Sequence, residues 1–410
     1  MPDSSFVGLH FLTQRTATAI NSINDIDSSD WNQCANPEQM EYNPFLDHRF
    51  IKALEDSGSA NSNTGWQPFH TIMRDKGRVV GVVPAYLKSH SQGEYVFDGA
   101  WADAWYRAGG EYYPKLQISI PFTPATGRRL LVATPLDNTQ SIQEVEAQLL
   151  SATLQIAQKI QVSSLHITFM PKNQWENAGK LGLLKRVDTQ FHWTNANYDS
   201  FEDFLRALSS KKRKNIRRER RGALENNIEI EWITGSDLTE SHWDAFYQFY
   251  VDTGNRKWGT PYLTRAFFSM LSETMPDETL LIMCKREGKY IAGAINFIGS
   301  NTLFGRNWGC IEDHRFLHFE TCYYQAIDFA IQHGINRVEA GAQGGHKIAR
   351  GYMPQQTYSA HWIRNSEFRD AIKNYLNSEE SFVQQDIDWI EKHTPFRKDL
   401  DLTNYHKKLD

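Results

Sequence analysis

Apolar and polar positions follow one pattern twice along this chain. The first copy is FHTIMRDKGRVVGVVPAYLKSHSQGEYVFDGAWAD (69–103), the second TLLIMCKREGKYIAGAINFIGSNTLFGRNWGCIED (279–313). Each predicts an apolar strand ending in Ile-Met, then a charged turn with a glycine, Gly77 or Gly288. A second apolar strand follows in each, carrying Gly81 or Gly293. Each then reaches Phe-x-x-x-Trp, Phe97 to Trp101 and Phe304 to Trp308, expected as a third strand. The offset is 211 at the first glycine, 212 at the second and 207 at the Phe–Trp pair. Small differences in turn and loop length produce that drift.

The parallel extends further. EVEAQLLSATLQIAQKI (144–160) has helical spacing at Val145, Leu149, Leu150 and Leu154, and LHITFM (165–170) follows as a strand. In the second copy HFETCYYQAIDFAIQHG (318–334) is expected to be helical and NRVEAG (336–341) a strand. The expected fold class is therefore α/β (α+β), two copies of a mostly antiparallel mixed sheet flanked by helices. The polar stretch FHWTNANYDS (191–200) marks the boundary, giving domains over 1–195 and 196–410. A length of 410 residues fits two domains.

Composition narrows the class. Hydrophobic content of 40% and charged content of 23% describe a globular chain, and the net charge of −5 gives no overall drive toward nucleic acid. No run of 18 apolar residues is present, so no membrane span is expected. The N-terminus lacks a basic region followed by an apolar run. Cys34, Cys284, Cys310 and Cys322 form no CxxC pair, which fits reduced thiols in a cytoplasmic protein. His314 and His318 stand at i, i+4 without an HExxH pattern, so no metal is expected.

Charge is concentrated in one place. KKRKNIRRERR (211–221) carries eight basic residues and one acid, leaving −12 on the rest of the chain. A helix over 209–224 is expected to continue from Phe201, Phe204, Leu205 and Leu208, packing Ile216 and Ala223. Arg213, Lys214, Arg217, Arg220 and Arg221 would then face outward, either solvated or as a phosphate-binding surface. RNA is the weaker partner, because stacking aromatics are missing from that helix. A second concentration is GAQGGHKIARGY (341–352), directly after the last strand. Glycines allow close backbone approach, and His346, Lys347 and Arg350 supply positive charge, so the loop suits an anion.

These stretches together resemble a known family. NPFLDHRFIKALEDSGS, PAYLKSHSQGEYVFDGAWADAW, LSSKKRKNIRRERR, RKWGTPYLTRAFF, LHFETCYYQAIDFAI and VEAGAQGGHKIARGYMPQQTYSAHWI are similar to the FemAB-like predicted N-acyltransferases of the GNAT superfamily. The similarity covers about residues 31–400. It implies two tandem GNAT-like domains and an acyltransferase, with acyl-CoA as the implied donor. Two positions depart from the family pattern. Gly345 stands where GAQGEHK carries an acid, and Asn307 where GRYWGC carries tyrosine. The pyrophosphate loop of acetyl-CoA enzymes is matched only in part, by Arg306-x-x-Gly309-x-Ile311.

Acyl transfer to an amine needs a base, an oxyanion holder and an anion site for the donor. Glu320 is the first candidate base, with a first-turn helix partner as its alternative role, and His346 is the second. Donor and substrate contacts are expected from Gln343, Gly344, Lys347, Arg350, Arg306 and Trp308. Tyr112, Tyr113 and Lys115 either line a cleft or belong to the core, and Arg256 and Lys257 read similarly. Asp98 binds an amine or caps a turn. Lys211, Arg213, Lys214 and Arg217 are the phosphate candidates. The expected acceptor is an amine of an amino acid, peptide or cell-wall precursor. Aminoacyl transfer from charged tRNA and a non-catalytic binding protein are the alternatives.

Overall fold

The computed structural model describes residues 9–10, 15–135, 141–257, 259, 261–341 and 344–399. The chain forms two compact units. The first holds the residues up to Asp188 together with Gln356–Gln384; the second holds Thr189–Gln355 and the chain from Gln385. A single cut near 195 therefore does not describe the units, because a late segment belongs with the first.

In the first unit one five-stranded sheet has the order β1-β2-β4-β5-β8. Its strands are β1 (Leu9–His10), β2 (Arg15–Ile20), β4 (His70–Asp75), β5 (Arg78–Val83) and β8 (Leu131–Val132), all antiparallel. A second sheet joins β3 (Trp66–Pro68), β6 (Ala85–Lys88), β7 (Lys115–Ile118) and β9 (Ser164–Met170). β7 and β9 run parallel there, and β16 (Met353–Ile363) adds antiparallel to β9 through Tyr358–Ile363.

The helices of this unit are α1 (Ser28–Ala35), α2 (His48–Asp56), α3 (Gly99–Arg107), α4 (Ile142–Lys159) and α5 (Lys172–Lys180). Ser141 and Glu144 form a capping box that starts α4. Leu149 of α4 lies against Gly81 of β5, at 3.1 Å from where a Cβ would stand. Val145, Leu149, Leu150 and Ile167 share one buried core with the sheets.

The second unit has the order β11-β12-β13-β14-β15-β10. β10 (Leu184–Thr194) ends in it, followed by β11 (Ile228–Thr234), β12 (Thr279–Arg286), β13 (Lys289–Ile298), β14 (Thr302–Cys310) and β15 (Arg337–Glu339). Only β14 and β15 are parallel. Its helices are α6 (Phe201–Ala207), α7 (Ser210–Ala223), α8 (Glu240–Lys257) and α9 (Arg265–Thr274). α10 (Leu317–Phe319), a π-helical turn (Glu320–Tyr324) and α11 (Gln325–Gln332) then run on continuously. α12 (Ser366–Lys392) belongs to the first unit as far as Gln384 and to the second from Gln385.

The repeat is visible in the ladders. Lys76-Gly77 and Glu287-Gly288 both take the left-handed pair of φ values that a two-residue hairpin turn needs. Met73 pairs with Gly81, and Met283 with Gly293. Between methionine and turn each strand of the second hairpin is one residue longer, including the extra pair Cys284 with Ala292. That accounts for the step in offset from 211 to 212.

Two expectations change. Phe97–Trp101 is not a third strand: α3 occupies Gly99–Arg107, where Trp101 and Trp105 fall one turn apart and Trp101 is buried. The basic helix is separate from α6, because Leu208 is extended, bridges Phe396, and Ser209 N–H donates to the Pro395 carbonyl.

Candidate functional site

In the second unit β14 and β15 part company. They pair only over Thr302–Phe304 and Arg337–Glu339, after which β14 runs on to Cys310 without its parallel neighbour. The glycine-rich loop begins where they part. It closes as a 3-10 helix over Gly345–Arg350 between Gly344 (φ +115°) and Gly351 (φ +88°). A Cβ on Gly344 would collide with the His346 ring, and one on Gly351 would stand 2.6 Å from the Phe204 ring. Both glycines are therefore needed for backbone angle and for space. A Cβ on Gly345 meets nothing within 4 Å.

His346 is exposed, and its Nε2 lies 2.8 Å from the Tyr323 hydroxyl. Phe319 and His318 flank the ring at 5.7 and 6.3 Å between centroids, and Trp308 of β14 stands 5.4 Å from His318. Partial burial, with Arg350 and Lys347 nearby, holds the imidazole below its ordinary value and so neutral at pH 7. Burial raises the Tyr323 phenol, which stays protonated. The π-helical turn sets this geometry: it widens the helix at Glu320–Tyr324, and its residue Tyr323 reaches the loop.

The loop cations are used internally. Buried Lys347 donates to the Gly341 carbonyl at 2.8 Å, and burial pushes its ammonium down to about 8. Arg350 donates to the His346 carbonyl at 2.7 Å and to Glu219 at 2.9 Å, and lies 3.4 Å over the Phe319 ring. Expected counter-charges for an anion thus first hold the loop to α7 and to itself. Gln343 lies outside the described residues.

Glu320 is also engaged. It is 1% exposed, and both carboxylate oxygens accept from Arg220, at 2.9–3.2 Å, with Gln325 donating at 2.8 Å. Arg220 also donates to Asp328 at 2.6 Å. Burial raises the Glu320 carboxyl, and Arg220 opposes the rise. Arg220 therefore points inward rather than outward, and Glu320 lies enclosed, unlike the exposed imidazole. Lys211, Lys214, Arg217, Arg218 and Arg221 are exposed along α7, Arg213 is half-buried, and Arg217 pairs with Glu202.

On the far strand Arg306 and Trp308 are half-buried in β14. Arg256 at the end of α8 pairs with Asp252 at 2.5 Å and donates to the Cys310 carbonyl at 2.8 Å. The Lys257 side chain lies outside the described residues.

The first-unit candidates form a separate buried cluster. Lys115 is fully buried and pairs with Glu94 at 2.7 Å and with Asp98, while the Tyr112 hydroxyl donates to Asp98 at 2.8 Å. Burial opposes the charge on Lys115, but the two carboxylates outweigh it and hold the ammonium above its ordinary value. Lys115 thus faces this chain's own acids and belongs to the core. Asp98 caps no turn with its side chain. Sequence reasoning missed Glu94, buried Lys88 and the pair His166–His361, whose Nδ1 atoms lie 2.8 Å apart. It also missed Tyr323, Glu219 and Asp328, because isolated residues of these types carry no local pattern.

A meander, a crossing helix and a parallel return strand, present in both halves, define a tandem GNAT-like protein. The chain belongs to the FemAB-like family, described as peptidoglycan biosynthesis/recognition, whose model matches residues 22–398. Among solved structures, FemX is similar at 12% identity and a TM-score of 0.52, covering 87% of this chain and 99% of that one. The C-terminal domain of a putative lysylphosphatidylglycerol synthetase from Agrobacterium fabrum is similar at 8% identity and a TM-score of 0.51, covering 85% and 96%. A tandem GNAT protein from the clavulanic acid biosynthesis pathway matches at 11% identity and a TM-score of 0.44, covering 88% and 98%. The likenesses to FemX and to the synthetase domain speak for the fold alone. No curated protein matches the sequence significantly.

Proposed function

We propose that the chain is an amide-forming transferase whose second unit carries out the transfer, with a peptidoglycan-related amine as acceptor. The observation that carries this reading is the neutral, exposed His346 beside the parted strands β14 and β15. In the tautomer with a proton on Nε2, the imidazole donates to Tyr323 and leaves the Nδ1 lone pair for an incoming ammonium. The freed amine attacks the donor carbonyl, a C–N bond forms, and the bond from carbonyl carbon to carrier breaks. His346 passes this first proton to solvent, takes the second proton from the nitrogen as the C–N bond forms, and returns that one to the leaving group.

The donor in the leading reading is an acyl-CoA, its acyl end between β14 and the 344–351 loop. Trp308 of β14 stands beside His318, and His318 beside His346 of that loop. A charged tRNA is the second reading, favoured by the five exposed cations of α7. A carrier of either kind brings phosphates, and Lys211, Arg213, Lys214 and Arg217 would meet them.

The experiment combines purified protein, a lysine-bearing muropeptide, and either acetyl-CoA or bulk charged tRNA, with the amide product detected by mass. Product is expected with one donor, and His346→Ala should slow its formation by about 10²–10⁴-fold. Absence of product with both donors, or an unchanged rate in His346→Ala, would overturn the reading.

A further inference from the structure

The stretch 211–221 holds eight basic residues and one acid, Glu219. An acid there weakens the cationic face that α7 offers to an anion, so its side chain calls for another use. Glu219 is half-buried and lies on the inner side of the helix. Ile216 and Ala223, three before it and four after it, are buried, and Ile216 packs in one core with Tyr323 and Tyr324. The helix is thus fixed without Glu219.

One carboxylate oxygen of Glu219 joins two segments. Its Oε2 accepts from Arg350 Nη2 at 2.9 Å and from the Tyr324 hydroxyl. Arg350 lies in the 3-10 turn that carries His346. Its Nη1 donates to the His346 carbonyl at 2.7 Å, and its guanidinium lies 3.4 Å over the Phe319 ring. Fully buried Tyr324 follows Tyr323, whose hydroxyl stands 2.8 Å from His346 Nε2. The two members of the His346–Tyr323 pair are therefore tied to the same oxygen, one through each arm.

The tie answers a physical need. A 3-10 turn of six residues is long for its poor hydrogen-bond geometry. Gly344 and Gly351 at its two ends let the backbone pivot. Support from outside the turn is what keeps an exposed imidazole aimed at one partner. Arg220, next along α7, binds Glu320 and Asp328 instead.

We propose that Glu219 is a positioning residue that holds His346 in register with Tyr323 through Arg350 and Tyr324. The proposal rests on the transfer reading of His346, but its test needs neither donor nor acceptor. Long-range proton–nitrogen NMR of the full chain, labelled at histidine nitrogens, reports the imidazole tautomer near pH 8, where the ring is neutral. His346→Asn assigns the signal. The parent should show one tautomer, with the proton on Nε2, and Glu219→Ala a mixture of both. A role in stability alone would lower the melting point and leave the tautomer unchanged. Glu219→Gln should keep the single tautomer, because its side-chain carbonyl accepts from Arg350 and Tyr324 alike. Arg350→Lys retains the charge but loses the fork, and should show the mixture even where Glu219→Ala does not fold. Where product forms, Glu219→Ala should lower kcat by about 10²-fold and leave KM nearly unchanged. A mixture already in the parent, or a single tautomer in Glu219→Ala or Arg350→Lys, would overturn the proposal. The same mixture in Glu219→Gln as in Glu219→Ala would overturn it too. A single tautomer in a parent that forms no product would count against the transfer reading alone.

Discussion

Replacing Arg220 by Met strands two carboxylates. Glu320 is 1% exposed and loses the guanidinium that both of its oxygens accept from; Asp328, 18% exposed, loses its 2.6 Å partner. Breaking a buried ion pair from one side costs about 3–5 kcal/mol, because the remaining charge stays desolvated. Asp328 adds little, since solvent screens it in part. Stacking of Arg220 on Phe201, 4.2 Å away, is partly kept by the Met side chain. For a unit of this size about 3–5 kcal/mol corresponds to a melting shift of roughly 6–20 °C. Thermal and urea unfolding of Arg220→Met, Glu320→Met and the double variant measure it. The double variant should cost less than Arg220→Met, since no charge is then left uncompensated at 320. The deficit of Arg220→Met should also shrink as pH falls and Glu320 takes up a proton. A loss under about 1 kcal/mol in Arg220→Met, or strict additivity, would refute the argument.

Further outcomes follow from other positions. Gly309→Ala should destabilise by about 1–3 kcal/mol, because its Cβ would collide with the Phe249 backbone, whereas Gly293→Ala meets only the movable Met283 sulfur at 2.5 Å; urea midpoints compare them. Gly345→Glu should leave the melting point within about 0.5 kcal/mol of the parent, since the site is open, and turnover then reports whether the acid of the family pattern aids transfer. His166, lowered to about 3, and His361 and His192, lowered further than burial elsewhere achieves for exposed His346, are buried neutral. With folded values depressed, stability should be full above about pH 6.5 and fall below it, by about 1.4 kcal/mol per pH unit for each histidine; proton uptake on unfolding measures the slope. Lys211→Glu with Lys214→Glu should weaken polyanion binding and flatten its salt dependence by about two phosphate contacts, read by filter binding at several salt concentrations.

Much of the frame was legible in the sequence. Turn glycines 77 and 288, and the Met–Gly pairings beside them, impose their geometry locally, so the repeated hairpins could be found by eye. The site was legible only as a loop. Its glycines announced close approach, but Arg350 and Lys347 proved to be held by Glu219 and Gly341, partners whose nearness depends on tertiary packing. Arg220 looks like any other cation of the basic helix; only buried Glu320 and half-buried Asp328 turn it inward. α3 was hidden because Phe-x-x-x-Trp fits a helical turn as well as a strand. The π-helical turn has no sequence signature of its own, yet Tyr323 on it reaches His346.

The most direct test of the central claim is single-turnover amide formation, followed by mass, with acetyl-CoA and with charged tRNA, as a function of pH in the parent and in His346→Asn. The parent should form product from one donor with a rate that falls as pH drops below the depressed value of His346, and the variant should be slow with no such titration. Equal rates and equal pH profiles in parent and variant would contradict the assignment of transfer to this loop.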